Sequence, residues 1–476
     1  MSGRRWRLSY PCVRPSFRVV TGKATQESSS AMRKKLYSLC GGRDAERRLV
    51  VDLLAILFGV GSWLGINSVY VQLPLLVGSA PEGWNLPSYL VVIIQIGNIG
   101  PLLYTSALRL KFVHDPYLIV ALLALGSCAA MATAFIYDRT VYVFGADRSV
   151  PLFITVFALS LVGCTSSVLF MPYMGRFNDA YLITYLIGEG FSGFVPSIVA
   201  LIQGVGGNGE CRLVNGTGVE EPPQYVNYTP PPRFGTRPYF IVSSVILATS
   251  TVAFVLLDRL PVCRREYAAV NIGKGNRYDY EPNDDRESSG KAGVDDPSPS
   301  PAKPKRSLTR TNYLLLLVLV SVMCLFGNGF FPSVQSYSCL PYGNVSYHLA
   351  VTLSSMANPA ACFLAFFVPK NSIRTIGALS ALFVPFAAYA LTTAITSPDP
   401  PLMHNVLGDI LVVACWTVLI GLVSYIRLAI TTLLRCEGGQ TLVWVGVASQ
   451  LGSLVGSILS FTLVNYTDTF EQYYPC

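Results

Sequence analysis

Uncharged apolar runs recur from residue 49 to residue 464, and about 20 such residues are what a helix needs to cross about 30 Å of hydrocarbon. Eleven spans are read: 50–77, 88–108, 116–137, 150–171, 180–203, 238–257, 312–331, 347–368, 373–396, 405–427 and 440–464. They predict an all-α polytopic membrane protein in a 6+5 arrangement. The composition leaves no room for a sizeable soluble domain, since 51% of residues are hydrophobic and only 13% charged, against about a quarter charged in globular chains.

Two gaps divide the spans. Residues 204–237, rich in Gly and Pro, form a loop, and residues 258–311 contain "DDRESSGKAGVDDPSPSPAKPKR", which cannot bury a core and predicts a disordered linker. The domains expected are a basic extension (1–49), a six-helix bundle (50–257), the linker (258–311), a five-helix bundle (312–465) and a short tail (466–476). Lys and Arg resist translocation. A cytoplasmic N-terminus puts 30 of the 35 inside and leaves only Arg139, Arg148, Arg212, Arg233 and Arg237 outside. The C-terminus then lies outside. The acceptor sequons at Asn215, Asn227 and Asn344 fall in outside loops, as glycosylation requires. Cys211, Cys339 and Cys476 also face the oxidising side, and Cys339 with Cys476 is the pair expected. The Arg- and Ser-rich extension fits either a disordered cytoplasmic segment or a mitochondrial transit peptide. Its charges abut the first span, which favours the former.

Several function classes are excluded or disfavoured. No G-x-x-x-x-G-K-[ST] motif is present to drive an ATP pump. His114, His348 and His404 lack metal-ligand spacing. "GVGGNG" at 204–209 follows a membrane span and reads as a turn. No nucleophile, base and orienting acid share a recognisable spacing, so an enzyme, a metal site and a resident cofactor are not expected. The net charge of +8 is topogenic rather than a nucleic-acid footprint.

What remains is a set of polar side chains at membrane depth, where an unpaired amide costs several kcal/mol. The first span places Trp63, Asn67, Tyr70 and Pro74 on one helix face, with Gln72 close by. Gln95 and Asn98 follow in the second span, Thr165 in the fourth, Asn328 and Gln335 around the end of the seventh, and Asn358-Pro359 in the eighth. Each alone reads more readily as interhelical glue. Together, many amides, few charges and several aromatics suit a neutral, planar solute rich in hydrogen-bonding groups. Arg427 and Asp409 read as helix-end charges that snorkel. Glu189 differs, because "YLIGEGFSGFVP" sets it near mid-depth between Gly188 and Gly190. Low-dielectric surroundings favour its neutral form, which can donate to a substrate carbonyl or carry a coupling proton.

"GSWLGINSVYVQLPLLVGSAPEGWNLPSYL", "NIGPLL", "CTSSVLFMP", "GEGFSGFVPSIVALIQGVG" and "FPSVQSYSCLPYG" closely resemble the animal riboflavin transporters of the solute-carrier class. The resemblance covers essentially all eleven spans. It implies sodium-independent uptake of riboflavin (vitamin B2) across the plasma membrane, with acid stimulation in some members. It also implies an architecture similar to the equilibrative nucleoside transporters and the major facilitators, with the bundles rocking about a central site. The candidate pocket residues are then Trp63, Asn67, Tyr70, Gln72, Gln95, Asn98, Thr165, Glu189, Asn328, Gln335 and Asn358. Many members carry "WVELP" where this chain has "YVQLP", so Gln72 cannot titrate and Glu189 becomes the proton-coupling candidate. The competing readings are a transporter of another flat heterocycle, such as a nucleoside, and a receptor or scaffold acting through its outside loops.

Overall fold

Hydrocarbon offers no partner to a backbone N–H, so the apolar runs close their hydrogen bonds within themselves as helices. The computed structural model describes residues 48–109, 114–143, 145–177, 179–214, 224–267, 308–367, 372–435 and 439–473. Most of the basic extension and of the linker therefore lies outside the described residues.

The first group of helices is α1 (Leu49–Val60), α2 (Leu64–Val71), α3 (Leu86–Ile96), α4 (Ile99–Arg109), α5 (Asp115–Ile136), α6 (Val150–Met174), α7 (Asp179–Gln203) and α8 (Thr236–Arg259). The second is α9 (Arg310–Cys324), α10 (Phe331–Cys339), α11 (Asn344–Phe367), α12 (Ile373–Ile395), α13 (Val406–Arg435) and α14 (Gly439–Tyr466). Among the described residues nine helical spans are long and apolar enough to cross a membrane, and α1 with α2, bent by 51° at a break, makes a tenth. The expected eighth span coincides with α11, a 24-residue helix.

Two ends differ from expectation. The seventh span does not stop at 331. A π-helical turn (Leu325–Phe330) links α9 to α10, which continues to Cys339 with Ser333, Gln335, Ser336 and Ser338 all buried in protein. Those polar residues lower the hydropathy without ending the helix. The tenth span likewise runs eight residues beyond Arg427. Outside the helices, β1 (Val141–Val143) pairs antiparallel with β2 (Ala146–Arg148), and β3 (Glu210–Val214) with β4 (Gln224–Tyr228), Cys211 opposite Asn227. The second hairpin falls in the stretch expected to be only a loop.

Glycines set the closest helix crossings. A Cβ on Gly59 would run into the Tyr185 carbonyl, and one on Gly188 into the Ile56 carbonyl, so α1 and α7 touch backbone to backbone. In the second group Gly452 and Gly456 press in the same way on the carbonyls of Ser321 and Leu325. The aromatic residues Phe58, Phe170, Tyr173 and Phe254 pack around α1, with ring centroids 4.8 Å apart between Phe58 and Phe254.

The two groups are latched at one end. Tyr337 donates to the Asn85 side chain, Ser336 Oγ donates to the Trp84 carbonyl at 3.0 Å, and Asn85 Nδ2 reaches Asn465 Oδ1 at 3.3 Å. Asn465 Nδ2 donates to Ser88 Oγ at 2.9 Å, and the Val345 N–H to Asn208 Oδ1 at 3.1 Å. At the opposite end, the polar contacts among the described residues stay within the first group: Arg48 with Glu266 at 2.9 Å, Arg176 with Asp115 at 2.7 Å, and Tyr173 with Asp258 at 2.7 Å.

Candidate functional site

Between the groups, α7 faces α11 along a strip that its own glycines keep smooth. Gly188 is turned into α1. Gly190 faces Pro359 and Phe363, and Gly193 faces the Ser355 carbonyl and the Asn67 side chain. Glu189 lies between these two surfaces, close to the middle of a 25-residue helix, and makes no hydrogen bond or ion pair to another described residue. Beside it, Phe191 and Phe363 approach with centroids 6.5 Å apart.

Six of the expected residues flank this seam. Asn67 Nδ2 is 3.4 Å from Ser192 Oγ, tying α2 to α7. Asn98 donates to Gln95 Oε1 at 3.2 Å and, across the seam, to Gln450 Oε1 at 3.0 Å. The π turn carries Asn328 toward α14, where Nδ2 meets Ser453 Oγ at 3.3 Å. Asn358 is exposed beside Pro359. Tyr70 lies close to Tyr347 of α11.

Other expected residues are placed differently. Gln72 is only 1% exposed, and its amide pairs with that of Gln203 at 2.5 Å within the first group. Gln203 in turn donates to the carbonyls of Phe234 and Gly235. In the described conformation the pair serves as interhelical glue. Thr165 sits behind Gly100, whose missing side chain makes room for its hydroxyl. Trp63 lies flat on Gly163 at the α1/α2 break. Gln335 is buried, with no hydrogen-bond partner for Nε2 among the described residues.

Arg427 was not expected here. Because α13 continues past it, it is no helix-end cation. It is half-buried, and Nη1 donates to Asn328 Oδ1 at 3.1 Å. The signal was available in sequence only as a cation among apolar residues, and the choice between snorkelling and binding depended on where the helix ends.

Residues 47–472 match the solute carrier family 52 riboflavin transporters. The chain belongs to that family. Its relatives include "Solute carrier family 52, riboflavin transporter, member 3-A" of Danio rerio, 40% identical over 89% of this chain and 97% of that protein. "Riboflavin transporter 2" of Salmo salar is 38% identical over 90% and 98%. Among solved structures, a bacterial homolog of the human lysosomal transporter Spinster shares the fold at a TM-score of 0.50 and 11% identity, covering 87% of this chain and 81% of that one. The riboflavin transporter family is one of membrane transporters, not enzymes.

In this riboflavin transporter family member two cavities lie at the latched end. One, of about 720 Å³, spans both groups between Pro74, Trp84, Tyr342 and His404, and another, of about 590 Å³, separates α11 from α13 near Ser346 and Asp409. Cys339 corrects the expected disulfide. The extension of α10 takes it out of the loop and into the core, where it is a fully buried free thiol, while Cys211 is the cysteine found disulfide-bonded. Cys476, Asn215 and the side chain of Asn227 lie outside the described residues.

Proposed function

We propose that the chain carries riboflavin across the plasma membrane by alternating access, without sodium, the α1–α8 bundle rocking against the α9–α14 bundle around the seam at Glu189. The observation that carries this reading is family membership across residues 47–472, with relatives matched over nearly their full length. The seam suits the solute. A flavin ring is flat enough to lie against Phe191 and Phe363, and its imide edge and ribityl hydroxyls match amides such as Asn67, Asn98 and Asn328. Asn358, Gln95 and Tyr70 border the same path, Trp63 and Thr165 support it from behind, and Gln335 faces it once the latched ends part.

With the N-terminus cytoplasmic, the latched ends are external and the described conformation is inward-facing. Glycosylation is then proposed at Asn215, Asn227 and Asn344. The last is the weakest acceptor, being half-buried beside a buried Ser346.

Cells displaying the chain at their surface are expected to take up labelled riboflavin saturably, with excess unlabelled riboflavin competing and nucleosides not. Absence of uptake by surface-resident protein overturns the reading, and competition by nucleosides reassigns the substrate.

A further inference from the structure

The cavity of about 590 Å³ between α11 and α13 joins a carboxylate to an apolar surface. Leu349 and Leu353 form one wall, and Val413, Ala414 and Val418 the other. Ile410 on its lining is 60% exposed and Val418 40%, so the cavity opens sideways, onto the surface that meets lipid in a membrane-spanning helix. Asp409 stands at one end, in the first turn of α13. From there to Val418 is about 14 Å along the helix, the depth of about one leaflet of the hydrocarbon core.

An acid in a first turn suits the helix dipole, but this charge is not balanced within the protein. One of its carboxylate oxygens is buried without a hydrogen-bond partner, and no ion pair among the described residues involves it. The other polar side chains on the lining, Ser346, Thr417 and Asn208, are neutral. Asn208 reaches the cavity from the opposite bundle, and its Oδ1 accepts the Val345 N–H at 3.1 Å, one of the latch bonds. That wall leaves when the latched ends part, so an occupant binds the latched conformation better and shifts the population toward it.

We propose that this cavity binds cationic amphiphiles, the protonated amine pairing with Asp409 and the apolar chain lying between α11 and α13, and that occupancy slows transport by holding the latch closed. The slowing rests on the rocking cycle proposed above; the binding does not. Charge complementarity selects the occupant. An apolar chain gains little by leaving lipid for a helix surface, so the head decides affinity, and an ammonium makes a charge-assisted bond that a neutral alcohol cannot match.

The test uses the purified full chain in phosphatidylcholine vesicles and a photoreactive long-chain amine whose attachment points are read by mass spectrometry. Attachment is expected within 345–353 and 409–418, with dodecylamine competing at least tenfold better than dodecanol. Asp409→Asn, of nearly the same shape, should erase that preference, and Ala414→Phe, which fills the cavity, should abolish attachment there. In cells, dodecylamine should depress riboflavin uptake, and Asp409→Asn should need at least tenfold more amine for the same loss.

Attachment elsewhere, equal competition by dodecanol, or a preference that survives Asp409→Asn would each overturn the site. Should the variants fail to reach the membrane, competition on the wild type decides by itself. Uptake unaffected by the amine while attachment holds would overturn the link to the latch. Absence of riboflavin uptake without any amine strikes the transport reading instead, and the attachment experiment still decides the site.

Discussion

At the scale of single residues, chemistry is set by what a side chain is spent on. Gln72 and Gln203 spend their amides on each other and on loop carbonyls. Gln72→Leu leaves the Gln203 amide short of a buried partner, a loss of about 1–3 kcal/mol. The expected result is a lower melting temperature of the purified protein with KM for riboflavin unchanged. Glu189, by contrast, is spent on nothing among the described residues, and Tyr185 and Cys362 are titratable groups near it. Uptake is expected to rise as external pH falls, because protonation removes the Glu189 charge from the moving seam. Glu189→Gln should flatten that profile while preserving uptake, and an unaltered profile removes Glu189 from coupling. Glu189 was legible in the sequence because it is an acid in an apolar run. Gln72 was misleading for the same kind of reason, since an amide at depth serves glue and substrate equally well until its partner is known.

At the scale of elements, helix positions were readable because hydrocarbon forces long apolar helices, and the ten spans begin and end within a few residues of expectation except at two C-terminal ends. Those misses share a cause. Buried serines in α10 and Arg427 in α13 resemble span ends when only polarity is visible, whereas protein on the facing side makes them interior. The π turn has no sequence signature of this kind, yet it carries Asn328 toward Ser453 and Arg427. The glycine contacts yield the sharpest element-scale prediction. Gly188→Val puts branched bulk against the Ile56 carbonyl and must push α7 away from α1, a cost of about 1–3 kcal/mol from overpacking alone. It should reduce surface-resident protein far more than Gly190→Ala, whose new methyl meets Pro359 at ordinary contact distance. Surface biotinylation of the two variants measures the difference.

At the scale of the whole molecule, the latch at one end and its absence among the described residues at the other define a conformation, which no single sequence reports because pairs such as Asn85 with Asn465 are nearly four hundred residues apart. Hydrogen bonds between membrane helices average about 0.6 kcal/mol each, so the five named here are worth about 3 kcal/mol together. Removing two of them with Asn85→Ala and Tyr337→Phe should shift the population toward the externally open state. A cysteine placed at Gln335 should then react several-fold faster with an impermeant thiol reagent added outside, and an unchanged rate would show that the latch is not the closing element. The two faces of α7 have a further consequence for pharmacology. One face is locked to α1 through Gly188, while the other offers α11 only the side-chain-free surface of Gly190 and Gly193. A compound that wedges bulk into that strip would block the rocking of the bundles, and because the strip borders Phe363 and Glu189, raising vitamin concentration should relieve its inhibition.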